Sequence, residues 1–402
     1  MSAPSSAPSS APSSAPSSAP DGDVVVVGAA RTPVGRATKG SLASVRPDDL
    51  AALVVAAVLQ RSGLDPGLVD DHVLGCGYPE GEQGYNLGRR VGLLAGLPAH
   101  VPGSTTSRFC ASSIQATREA FHALRVGEAS FVVASGVESI SRVGRRLSEQ
   151  DKHPGLGHGA IADVYVPMGL TAENVARQCG VRREEMDALA LRSHRLAVAA
   201  QDSGYFAAEI VPVTLADGTV VDRDDSPRRG TSADALAALP PAFDERGSVT
   251  AGNSCPLSDG AAALLLATRA SAEREGLVPR ARVVATSVTG IAPEIMGLGP
   301  VRAIAQVLER TALRIEDFDV VEINEAFAAQ VLPVCEASGI DVDTQLNLHG
   351  GAIALGHPFG MTGARLVGTL VHALEEHRGR FGLAALCVGG GQGMAVVIER
   401  LG

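Results

Sequence analysis

Apolar and polar positions along this chain switch between two periods. Residues 24–30, inside "DVVVVGAARTP", are apolar throughout, which predicts a strand buried on both faces that runs into a loop. A helix-period segment follows at about 48–61. "DHVLGCG" then predicts a strand, "YNLGRRVGLLAGL" a helix, 110–126 a further helix and "FVVASG" (131–136) a buried strand. Strands alternating with helices predict an α/β fold with a parallel sheet covered on its faces. Between about 139 and 258 the pattern loosens into polar, Pro-containing stretches around two helices, 171–179 and 183–202. "SVTAGNSCPLSDGAAALLLA" (248–267) reads as a polar loop leading into an apolar helix. Alternation then resumes. "ARVVATSVTG" is a strand, 301–311 a helix, "FDVVEIN" a strand and 325–337 a helix. A long helix starts near Gly360, and "LAALCVG" and "MAVVIER" close the chain as strands. Two alternating halves thus flank a looser insert. Each opens on a Val-rich strand and later brings a cysteine beside a strand end, a weak internal similarity.

Composition narrows the function classes. With 402 residues, 45% of them hydrophobic, the chain can bury a large core. A net charge of -10 and 3% aromatics leave little for a polyanion or for stacked bases, so no nucleic-acid partner is expected. Six cysteines without any C-x-x-C spacing predict reduced thiols in a cytoplasmic protein, with neither a disulfide framework nor a metal site. The first 20 residues repeat "APSS", a low-complexity tail that cannot bury enough surface to order itself. It has neither the apolar core of a secretory signal nor the arginines of a transit peptide. No apolar run is long enough for membrane insertion.

Five segments could carry chemistry. In "SRFCASSIQA", Cys110 opens a helix, where backbone N–H groups favour a thiolate; on its own it reads equally as a small core residue. In "GGAIALGHPFGMTGAR", His357 sits among glycines that let backbone and substrate approach closely, a setting for a general base. "CVGGGQGMA" ends a strand at Cys387 in a glycine-rich turn that could aim amides at an oxyanion or simply join two strands. It lacks the Lys-Ser/Thr ending of a phosphate loop. Asn324 in "INEAFAAQ" stands at a strand-to-helix corner, where capping is its ordinary role. The polar part of 248–267 is the fifth.

Together "RFCASS", "GVESIS", "MGLTAENVA", "VTAGN…SDGAAA", "NEAFA", "GGAIALGHP" and "CVGGGQG" resemble the thiolase family, in that family's order, over residues 22–402. The resemblance implies duplicated α/β halves, each a mixed sheet between helices, forming a layered helix-sheet sandwich with an inserted loop domain. Its boundaries would be a disordered tail at 1–21, an N-terminal half at 22–138 completed by about 259–279, a coenzyme A-binding loop domain at 139–258 and a C-terminal half at 280–402. It also implies roles. Cys110 matches the nucleophile that carries the acyl group, His357 the base that deprotonates it, and Cys387 the cysteine that moves a proton on or off the α-carbon of acetyl-CoA. Asn324 matches the residue whose water, with His357, binds the thioester oxygen. The amides of Cys110 and Gly389 match a second oxyanion hole. Met168 and Phe327 would line the acyl end of the tunnel, Ser254 and Cys255 the pantetheine, and one of Arg228 and Arg229, Arg228 foremost, the nucleotide. No permanently bound cofactor is implied; coenzyme A and its thioesters are substrates, and a homodimer or homotetramer is expected.

Three positions depart from the family's pattern. Ser107 replaces an Asn, Cys255 a Ser, and Pro167 stands where acetoacetyl-specific members often carry His. Pro167 favours a broad 3-oxoacyl range over the alternative, an acetoacetyl-CoA-forming acetyltransferase. A decarboxylating condensing enzyme would lack Cys387, and a non-catalytic acyl-CoA-binding scaffold would not need all four chemical positions.

Overall fold

Residues 24–27, four consecutive valines, begin strand β1 (Val24–Arg31), buried along its whole length. The strands that follow are β2 (Asp71–Cys76), β3 (Gly103–Thr106), β4 (Phe131–Ser139), β5 (Ser258–Thr268), β6 (Ala281–Gly290), β7 (Val320–Ile323), β8 (Phe381–Val388) and β9 (Gln392–Arg400). The main helices are α1 (Pro47–Ser62), α2 (Leu87–Leu94), α3 (Ser112–Arg125), α4 (Met168–Cys179), α5 (Arg183–Ser203), α6 (Gly299–Thr311), α7 (Ala328–Ser338) and α8 (Phe359–His377). They come from a computed structural model, which describes residues 22–143, 149–156 and 163–402. The "APSS" tail, expected to be disordered, lies outside the described residues.

Local chemistry sets several boundaries. Pro47 fits the first turn of α1, Asp48 and Asp49 favour its positive end, and Gly63 closes it at φ 77°. No described helix is long and apolar enough to cross a membrane.

Two expectations fail. The run 258–268, expected as an apolar helix, is the central strand β5, and it pairs antiparallel with both β1 and β4. An Ala/Leu run carries no period, so only its neighbours decide. Ala261, Ala263, Leu265 and Ala267 enter one core cluster, and Ala262, Leu264 and Leu266 enter another. Burying each leucine contributes roughly 1.5–3 kcal/mol. The parallel sheet that alternation alone predicts is instead mixed, as the family resemblance implies, because β5 and β9 return antiparallel between parallel pairs.

The strands join in the order β7-β8-β9-β6-β1-β5-β4-β2-β3. The two halves repeat one plan. β1–β5 and β6–β9 are antiparallel, as are β5–β4 and β9–β8; β4–β2 and β8–β7 are parallel. The parallel partner β3 beside β2 has its counterpart in a single bridge, Val321 to Leu346, beside β7. Even the irregularity repeats, with register shifts around Val27 in β1 and Val284 in β6, the fourth residue of each strand. β1 and β6 join the halves through Val25↔Arg282 and Val26↔Ala281.

Alternate residues of each strand face different layers. One cluster packs α1 against β1, β4 and β5, and another packs α6 and α7 against β8 and β9. Between them lies a cluster built from α3, α8 and the inner faces of both halves. The segments bearing Cys110 and His357 lead into these two inner helices.

Candidate active site

The turn from β3 into α3 is tight. Phe109 has φ 42°, a left-handed conformation that costs a non-glycine residue on the order of 1–3 kcal/mol. Surrounding hydrogen bonds hold it. The Arg108 amide donates to Ser112 Oγ (2.9 Å), and that hydroxyl donates to the Phe109 carbonyl (2.7 Å). Ser107, the departure from the family's Asn, donates its hydroxyl to the Gly77 carbonyl (3.2 Å). The next residue, Cys110, is half-buried and enters the short turn that leads into α3. An N-terminal helix position favours a thiolate there.

His357 is 1% exposed. Its amide donates to Ser258 Oγ (3.1 Å), and its ring Nδ1 lies 2.7 Å from Thr362 Oγ1. Thr362 spends its one hydroxyl proton on the Pro358 carbonyl (2.8 Å), so its oxygen accepts from Nδ1–H. This arrangement favours the tautomer in which Nδ1 carries the proton and Nε2 keeps its lone pair. Nε2 lies 3.3 Å from Asn324 Nδ2.

Asn324 follows β7 directly and is wholly buried. Its amide donates to the Ala385 carbonyl (3.0 Å) of β8, the strand that carries Cys387. The side-chain Oδ1 is buried with no hydrogen-bond partner among the described residues. The neighbouring Glu325 turns away, accepting from Ser193 (2.6 Å), Asn347 (2.8 Å) and the Ile353 amide (3.2 Å).

Cys387 is fully buried, and burial drives its thiol well above the ordinary range. Charge on Cys110, and then on Cys255, pushes it the same way. The three thiols therefore share one electrostatic neighbourhood. Gly389 lies beyond Cys387; a Cβ there would stand 3.6 Å from Met168 Sδ and 3.7 Å from the Phe109 ring. Met168, Phe327 and Cys255 belong to the same apolar cluster as Cys387. Arg108 ties the Cys110 turn to the glycine turn by donating to Gln392 Oε1 (2.6 Å).

The segment 253–258 lies between these groups. Ser254 bridges to Phe327 and Leu257 to His357, while the Cys255 amide donates to the Ala326 carbonyl (3.0 Å). Ser254 gives its hydroxyl proton to the Thr250 carbonyl (2.7 Å), so it offers a ligand only its lone pairs.

Arg228 is not at this centre. It lies with Ser254, Arg36, Ser226 and Thr231 on the wall of a cavity of about 400 Å³. A second cavity of about 660 Å³ shares His194, Arg228 and Thr231 with the first and adds Arg192, Arg195 and Arg229. Arg229 is held in a double ion pair by Asp202. Arg228 donates its backbone amide to His194 (3.2 Å), whose ring is pushed down to about 4 by burial and by the Arg228 charge. The two cavities thus adjoin at His194, Arg228 and Thr231, with the arginines around the larger one and Ser254 on the wall of the smaller.

Sequence reasoning missed five contributors. Thr362 stands inside the glycine segment five residues after His357, and Ser258 begins the misassigned β5. Arg108 and Gln392 flank the two cysteine motifs. Glu138, in "GVESIS", accepts from the Gly77 amide (2.8 Å), the Tyr78 amide (3.2 Å), Gln83 (2.7 Å) and the Gly360 amide (2.9 Å). It thereby ties β2 and β4 to the start of α8.

The profile described as "Thiolase, N-terminal domain" matches residues 24–270, and "Thiolase, C-terminal domain" matches 277–400. The chain is 46% identical to a beta-ketoadipyl-CoA thiolase of Pseudomonas aeruginosa, covering 94% of this chain and 99% of the relative. It is 43% identical to a 3-ketoacyl-CoA thiolase of Bacillus subtilis, with the same coverage of each. Among solved structures it resembles an acetyl-CoA acetyltransferase of Bacillus anthracis at a TM-score of 0.89 and 41% identity, over 96% of this chain and 100% of that one.

Proposed function

The chain belongs to the thiolase family and is an acyltransferase, and on that premise we propose how its own residues carry out reversible thiolysis of 3-oxoacyl-CoA. In the cleavage direction, His357 Nε2 takes the proton of the Cys110 thiol. The thiolate adds to the C3 carbonyl, and the C2–C3 bond breaks. Its electron pair leaves as the acetyl-CoA enolate. Cys387, a neutral thiol at rest because of its burial, protonates C2 and releases acetyl-CoA. Free coenzyme A then gives its thiol proton to the Cys387 thiolate and attacks the acyl-Cys110 thioester. Cys110 leaves as a thiolate and recovers its proton from His357. The cycle closes with every proton returned, and its two half-reactions make it ping-pong.

The observation that carries this reading is the hydrogen-bond geometry at His357, which favours the proton on Nδ1. Nε2, beside Asn324 Nδ2, is an acceptor until it holds the Cys110 proton, and only then can it donate to the enolate oxygen. Removal of the Cys110 proton and stabilisation of the enolate are thus coupled at one atom. Asn324 Oδ1, buried and unpaired among the described residues, suits a water that would donate to the same oxygen. The Cys110 and Gly389 amides would receive the acyl oxygen. Residues 139–258 supply the coenzyme A site in this reading. Arg228 meets the nucleotide, because Arg229 is committed to Asp202. Ser254 and Cys255 flank the pantetheine, while Met168 and Phe327 line the acyl end.

Treatment with acetyl-CoA followed by peptide mass spectrometry should find an acetyl group on Cys110 and none in Cys110→Ser. An adduct on Cys387 or Cys255 instead would reverse the assignment. Thiolysis rates for 3-oxoacyl-CoA esters from C4 upward then read the chain-length range.

A further inference from the structure

His349, Glu376 and His377 lie outside the thiol centre, at the meeting of two stretches of chain. His349 stands just before Gly350, and Glu376 and His377 are the last two residues of α8. One donor atom from each lies within 4.8 Å of the others. His349 Nε2 is 2.8 Å and His377 Nε2 3.7 Å from the same carboxylate oxygen, Glu376 Oε2. Donor atoms around a tetrahedral ion at ordinary Zn–N and Zn–O lengths stand about 3.3 Å apart. The observed spacing brackets that value.

One donor is already fixed. The His349 ring stacks on Tyr205 with centroids 3.6 Å apart and planes at 6°. Its side chain is 11% exposed, while Glu376 and His377 are half-exposed and free to adjust. Nδ1 of His349 is buried with no hydrogen-bond partner among the described residues, so the ring addresses the cluster through Nε2. The final carbonyls of α8 add partial negative charge at the same place.

We propose that His349, Glu376 and His377 form a binding site for a divalent transition-metal ion, Zn²⁺ foremost. Two imidazoles and one carboxylate suit a borderline ion and are a poor match for Mg²⁺ or Ca²⁺, which take oxygen donors. Solvent completes the coordination. The ion would tie the residue before Gly350 to the far end of α8. The segment between them begins with the glycine loop that carries His357, so the ion would anchor the first end of that loop to the last turn of α8.

Titration of the metal-free full chain with Co²⁺, followed by visible absorption, tests the site. One ion should bind per chain, with ligand-field bands and no near-ultraviolet sulfur-to-cobalt transition. His377→Ala and Glu376→Gln, both half-exposed changes, should each weaken binding at least about tenfold. A sulfur transition would put the ion on a cysteine. That result, undiminished binding in His377→Ala, or no uptake at millimolar Co²⁺ would each overturn the proposal. None of these readouts depends on the acyl-transfer chemistry.

Discussion

A single hydroxyl decides what His357 can do. Thr362 accepts from Nδ1–H only because its own proton is committed to the Pro358 carbonyl. Thr362→Val removes that acceptor, and Nδ1–H loses its partner in a buried site. The other tautomer then competes, with Nε2 protonated and unable to take the Cys110 proton. kcat should fall about 10- to 100-fold, with the pH–rate limb that reports His357 displaced. Thr362→Ser should restore both. A Val variant with an unchanged pH profile would mean that the loop backbone, and not Thr362, sets the tautomer.

At the scale of elements, the separation of nucleophile and base is the separation of α3 and α8. The two helices touch at backbone distance. A Cβ on Gly363 would stand 2.4 Å from the Ile114 amide nitrogen, and the Ala364 amide donates to Ser113 Oγ (2.8 Å). Backbone cannot yield as a side chain can. Gly363→Ala should therefore force the helices apart and cost about 1–3 kcal/mol, read as a lower urea midpoint. Because Cys110 lies four residues from Ile114, kcat should drop as well. Wild-type values for both would show that the helices have room to spare.

At the scale of the whole molecule, one buried carboxylate spans the two halves. Glu138, at the end of β4, receives the Gly360 amide from α8 along with three donors from its own half. Glu138→Gln turns one acceptor into an N–H₂ group that faces those donors, and should cost roughly 1–3 kcal/mol in urea unfolding. The pH response has a definite sign. Burial raises this carboxyl from 4.5 to about 6, against the hydrogen bonds from Gln83, Gly77, Gly360 and Tyr78. Between those values the folded state holds a proton that the unfolded chain has lost, so this contribution to stability is full below pH 4.5 and declines as the pH rises to 6. The Gln variant should lack that decline. An equal slope in both proteins would trace it to other groups.

The sequence by itself determined the elements with a clear period or a sharp boundary. The strand at 281–290 coincides with β6, and the helix at 183–202 is α5 but for its last residue. The motifs also named the family, because their residues and order survive in one dimension. Tertiary structure alone decided that 258–268 is a strand, since an Ala/Leu run buried on both faces has no polar side to mark its period. It decided which strands pair antiparallel, because strand direction depends on which neighbour a segment meets. It brought His349 to Glu376 and His377, and Glu138 to Gly360. It also set the proton on Nδ1 of His357, because a tautomer follows from where a neighbouring hydroxyl spends its hydrogen, and spacing along a chain does not encode that.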